Sequence, residues 1–110
     1  MVVINKKEKE KVKSINFHDA EIAKIICDYN AGKVEISIIM DDTHQYAALL
    51  KFENIFYMEV NHKEPWGPGI NIITVNVDDA DGDYFKVSIL LSSGDEVNII
   101  ASKMIYTSNE

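Results

Sequence analysis

The stretch FHDAEIAKIICDYNAGKVEISIIM, Phe17 to Met40, decides the fold. Side chains on an extended strand alternate between its two faces. Ala23, Ile25, Cys27 and Tyr29 therefore share one face of a first strand, with Ile22, Lys24, Ile26 and Asp28 opposite. After a break, Val34, Ile36, Ile38 and Met40 share one face, with Glu35, Ser37 and Ile39 on the other. The β-branched Val34, Ile36, Ile38 and Ile39 favour strand over helix. Between the runs, Asn30-Ala31-Gly32-Lys33 is a tight reversal, with Asn30 and Gly32 suited to positive φ. The stretch predicts a β-hairpin.

The same alternation recurs toward the C-terminus. Asp41-Asp42-Thr43-His44-Gln45 reads as a polar loop, and Tyr46 to Val60 as a long strand with Ala48, Leu50 and Phe52 on one face. Asn54 falls on the apolar phase, which predicts a bulge or turn near Glu53-Asn54. Lys63-Glu64-Pro65-Trp66-Gly67-Pro68-Gly69 holds both prolines and the only tryptophan, and reads as a loop. Strands follow over 70–77, 84–91 and 96–105, separated by Asp78-Asp79-Ala80-Asp81-Gly82-Asp83 and Ser92-Ser93-Gly94-Asp95. In 70–77 the apolar weight changes face midway. About six strands joined by Gly, Asn, Asp and Ser turns predict a mainly β domain over 14–110. Its architecture is an antiparallel sandwich or partly closed roll. Residues 1–13, MVVINKKEKEKVK, read as a charged, solvated tail, with Val2-Val3-Ile4 as an added edge strand or dimer contact the alternative.

Charge divides the chain unevenly. Residues 1–13 carry five lysines and two glutamates, a net +3, whereas the rest carries six lysines and sixteen acids, a net −10. All eleven basic residues are lysine, so the forked contacts that arginine makes to phosphate and guanine are missing. An acidic body repels nucleic acid and anionic membrane and attracts a cationic protein. No apolar run approaches the ~20 residues of a membrane helix. Met1-Val2-Val3-Ile4 passes at once into charge, and the single Cys27 has no disulfide partner. A cytoplasmic location is expected.

The chemistry-bearing residues form no complete motif. Placing Gly82 at position six of a calcium loop puts Val77 at position one and Ser88 at position twelve, where acids belong. His18, His44, His62 and Cys27 lack the close pairing of zinc ligands. No Gly-x-Ser-x-Gly elbow or phosphate-cradling glycine loop occurs. Cys27 falls mid-strand, which predicts a buried, unreactive thiol. For His18-Asp19, an Asx turn at Asp19 and a bond from His18 to a backbone carbonyl are expected. No catalytic residue, metal or cofactor is expected.

The opening Phe17-His18-Asp19-Ala20-Glu21-Ile22 resembles small bacterial all-β proteins whose first strand begins with a Phe-His-Asp triplet. Leu50-Lys51-Phe52-Glu53-Asn54-Ile55 is similar to their middle strand. Some of those proteins are regarded as immunity proteins against secreted toxins. The resemblance spans about half the chain and implies an all-β fold and a binding role, with no functional residue to carry over. Together with the acidic body it leads to the expectation of a non-catalytic protein masking a cationic toxin or other basic partner. The contacts are expected at Asp78, Asp79, Asp81 and Asp83, with Asp41, Asp42 and Trp66 beside them. Two readings stay open. One is a small-ligand site near the Pro-Trp-Gly-Pro loop, formed by Trp66, His18 and His44; the other is a homodimer through edge strands.

Overall fold

Alternation within 33–41 translates directly into structure. In the computed structural model, which describes residues 1–41, 43–63 and 70–109, Val34, Ile36, Ile38 and Met40 are all buried. Seven strands form one antiparallel sheet: β1 (Val2–Ile4), β2 (Glu21–Asp28), β3 (Lys33–Asp41), β4 (Gln45–Val60), β5 (Ile72–Asp79), β6 (Phe85–Leu91) and β7 (Glu96–Ser108). Their order is β2-β3-β4-β7-β6-β5, with β1 also paired to β7. The inward residues of β4, β6 and β7, among them Leu50, Phe52, Phe85, Ile89 and Ile99, meet in one core. The Cα radius of gyration is 13.2 Å, close to the ~13 Å of a single compact domain of this length. No helix among the described residues is long and apolar enough to cross a membrane.

The sheet curls without closing into a barrel. Its edge strands meet at one corner, where Glu21 bridges Asn71 and the Ile72 N–H donates to Ala20 O at 2.8 Å. Both edges carry a bulge. In β2 the register slips between Ile22 and Lys24, leaving Ala23 as the extra residue. Ile22 and Ile25 consequently face Ile38 and Ile36 on the same side, not opposite sides as simple alternation predicts. In β5 the slip falls between Ile72 and Thr74, so Ile73 is extra and 42% exposed. That slip is the physical cause of the midway change of apolar face.

The first thirteen residues are not a solvated tail. β7 outruns β6: β6 covers only residues 96–101 of it, and β1 pairs the remaining edge through Val2↔Tyr106, Val3↔Ile105 and Ile4↔Met104. A 3-10 helix, Lys6–Ser14, follows, kinked at Glu8 and begun by Asn5, whose side chain accepts from the Lys7 N–H. Ile4 and Val12 reach the core. Burying each stabilises the fold by about 1.5–3 kcal/mol, which outweighs the solvation that the neighbouring lysines keep on the outer side.

Turn chemistry is mostly as the residues dictate. Gly32, Gly82 and Gly94 have positive φ, but Asn30 does not. Asn54 does, at 55°, and the β4–β7 register slips just after it, between Ile55 and Tyr57. The expected bulge is therefore present. In the turn before β2, Asp19 has φ 68°, and it is Asn16, not Asp19, whose side chain accepts a backbone N–H two residues on, from His18.

Candidate functional site

The aspartate turn lies where the sequence places it, between β5 and β6. Ala80 N–H donates to Tyr84 O and Tyr84 N–H to Asp81 O, with Gly82 at φ 61°. Its surroundings were not legible. Lys6, from the 3-10 helix, donates its Nζ to Ala80 O at 2.6 Å and Gly82 O at 2.7 Å. Lys9 Nζ lies 3.1 Å from Asp79 Oδ1. Asp78 stands opposite Lys86 across the strand pair. The +3 segment thus sits against the most acidic turn of the body. Because Lys6 takes carbonyls and not carboxylates, it shapes the turn without neutralising it at contact. Asp81 and Asp83 remain exposed, and no ion pair holds either carboxylate among the described residues.

Lys6→Ala is expected to lower stability by about 1–3 kcal/mol, the range for losing charge-assisted hydrogen bonds. Urea unfolding measures it, and an unchanged midpoint would show that the turn holds itself.

Asp41 is exposed at the end of β3 and pairs with Gln45. It does not extend the acidic turn. Gln45 precedes Ala48, which faces Ser108, whereas the turn flanks Phe85, which faces Ala101. The intervening length of β7 is about 24 Å at strand rise. Asp42 and Trp66 lie outside the described residues.

His18 and His44 are not brought to one cavity. His18 Nδ1 donates to Ile73 O at 3.0 Å, the carbonyl bond expected, and its Nε2 stands 3.7 Å from Asp19 Oδ1. It lines a shallow hollow with Val12, Phe17 and Val75. His44 sits in the β3–β4 turn, its Nδ1 3.2 Å from Thr43 Oγ1 and its ring tilted at 46° to that of Tyr46, 5.5 Å between centroids. Among the described residues, no group of three or more His, Cys, Asp or Glu side chains is placed to hold a metal ion.

Two features escaped the sequence reading. Cys27 is exposed, not buried. It shares the core-facing side with its partner Val34, but β2 is an edge strand, and beyond the half-buried Ile25 its residues 26–28 are all exposed. The second is Phe56. β3 accompanies β4 only as far as Val34↔Phe52; Asn54 then turns, and Ile55 N–H donates to Gly32 O at 3.0 Å. With Ile55 opposite Ala101 and Tyr57 opposite Ile100, Phe56 is the extra residue and is driven outward, 71% exposed. Its ring rests 5.3 Å from that of Tyr84, at the end of the aspartate turn.

Phe56 divides two hollows. One, of about 560 Å³, is lined by Cys27, Asp28, Tyr29, Lys33, Phe56 and Met58 among others. The other, of about 410 Å³, is lined by Phe56, Ala80, Asp81, Gly82, Tyr84 and Ile100. The doubled apolar run after Asn54 was the sequence signal that one side chain there must leave the core. An aromatic ridge thus adjoins an acidic turn.

No protein-family model matches the chain, and no curated protein matches it in sequence.

Proposed function

We propose that the protein is a non-catalytic interaction protein that binds a basic protein partner in the cytoplasm, as an immunity protein masks a toxin. The contact is the 78–83 turn, with Asp81 and Asp83 as its outward charges and Asp78 and Asp79 behind them. The observation that carries this reading is the juxtaposition of Phe56 and Tyr84 with that turn. Exposed aromatics anchor interfaces, and complementary charge accelerates encounter and selects the partner's sign. The −10 balance of residues 14–110 extends the attraction over the whole body.

The test is affinity capture with the wild-type chain and with Asp81→Lys/Asp83→Lys, each washed at low and then high salt. Raising salt from about 0.1 M to 0.5 M shortens the Debye length from ~10 Å to roughly half. A basic protein held by the wild type, released at high salt and not held by the variant is the expected result. Identical captures by both chains would remove the turn from the interface.

A further inference from the structure

We infer that Phe56 anchors a docking surface for an extended segment of the basic partner, one in which apolar and basic side chains alternate. This rests on the reading just given and specifies what the partner presents.

A single exposed aromatic residue is ordinary. Phe56 differs in how it comes to be exposed. A non-glycine residue at positive φ, a register slip and a strand leaving its neighbour combine at Asn54–Tyr57, and together they push this ring out of the core phase. Bulges re-aim side chains in this way, and strain held locally marks sites where the geometry is used. Tyr29 at the β2–β3 tip, 94% exposed, and Tyr57, 45% exposed, stand on the same rim. Hollows on both sides of Phe56 offer room for large apolar side chains.

The backbone points the same way. Beyond Ile55, whose N–H still donates to Gly32 O, β4 has no partner strand on its β3 side among the described residues, while its other side stays paired to β7 as far as Val60↔Val97. An open edge beside pockets is what strand addition uses: the main chain pairs with the edge and alternate side chains enter the pockets. Side chains two residues apart fall on the same side of an added strand.

Charge selects the occupant. Asp28 borders one hollow, Asp81 the other, and Glu59 projects from the open stretch of β4. Lys33, which lines the first hollow, already faces Glu53 Oε2 at 3.9 Å, and Lys6 beside the second is taken up by Ala80 O and Gly82 O. A second copy of this chain would bring the same net charge of −7 against this rim, so the segment comes from a partner with lysine or arginine between its apolar residues.

The experiment titrates the full-length, 15N-labelled chain with the acetylated peptide Lys-Leu-Lys-Leu-Lys-Leu-Lys and, separately, with an all-lysine peptide of equal length. The expected result is amide shifts clustered at Tyr29 and across Ile55–Val60 with the leucine-bearing peptide, and at least a ~10-fold loss of affinity in Phe56→Ala. Phe56→Leu retains part of the affinity. If the all-lysine peptide binds as tightly and Phe56→Ala changes nothing, the anchor is overturned while the acidic-turn reading stands. If neither peptide binds, both fall. Concentration-dependent self-association abolished by Phe56→Ala would identify the occupant as a second copy and overturn the proposal.

Discussion

Phe52→Ala is expected to cost about 3–5 kcal/mol of folding stability, as removal of a fully buried phenylalanine does. Phe52 is 0% exposed and sits in the middle of the sheet, between Val34 on β3 and Met104 on β7. Neither neighbour can follow the ring inward without breaking its own ladder, so the cavity stays open and the upper part of the range applies. A domain of this size has about 5–15 kcal/mol in total. The loss would lower Tm by roughly 15 °C or more and shift the urea midpoint with little change in slope. Phe56→Ala is the control in the same strand: the same atoms are removed, but from a ring 71% exposed, so the change stays within about 0.5 kcal/mol. Equal costs for the two would mean that the bulge does not separate core from surface, and the docking surface would lose its basis.

That contrast also shows what could be read from the chain without its structure. In β3, β6 and the first half of β7 the buried residues are those that alternation selects: Ile36 and Ile38, Val87 and Ile89, Val97 and Ile99; in β7 the phase then changes between Ala101 and the buried Met104. Period two is unbroken over those stretches because the extra residue of each slip lies on the neighbouring strand: Ala23 on β2, Ile73 on β5 and Phe56 on β4. β2 and β5 gave only half their faces correctly, since Ala23 and Ile73 are bulged and everything beyond each is displaced by one residue. A bulge depends on the partner strand, so alternation within one strand shows that something slips without showing which residue is extra. Asn54 was legible for the opposite reason: a polar side chain on an apolar phase cannot stay buried unpaired. It turns out of the core and bonds to Ser102 Oγ at 3.0 Å.

The candidate site was legible as a turn and not as a surface. Asp-Gly at 81–82 announces a reversal, but Lys6 reaches it across 76 positions of sequence, and Phe56 meets Tyr84 across 28. Composition placed the charge balance correctly and misjudged its geometry. The basic segment and the acidic turn, read as separate features, are one packed unit. Cys27 shows the same limit. Its phase was right, but whether a core-facing position is covered depends on where the opposing strands end.

Ile4→Ala is expected to cost about 2–5 kcal/mol, the second large effect, and it tests the least expected part of the fold. Ile4 is 0% exposed and faces Met104 on the part of β7 that β6 does not reach. Its neighbour Val3, paired to Ile105 but 40% exposed, supplies the comparison: Val3→Ala should change stability by about 0.5 kcal/mol or less. Chemical unfolding of the two variants separates a docked strand from a solvated tail, for which both substitutions would be silent. The consequence extends to the proposed binding surface. β1 sets the position from which the 3-10 helix delivers Lys6 to Ala80 O and Gly82 O and Lys9 to Asp79. If Ile4→Ala is destabilising and Lys6→Ala is too, the shape of the acidic turn is supplied by the N-terminus, and partner affinity should fall with either change even though neither residue touches the partner. If Ile4→Ala is silent, β1 does not position the 3-10 helix, and Lys6→Ala alone decides whether the turn holds itself.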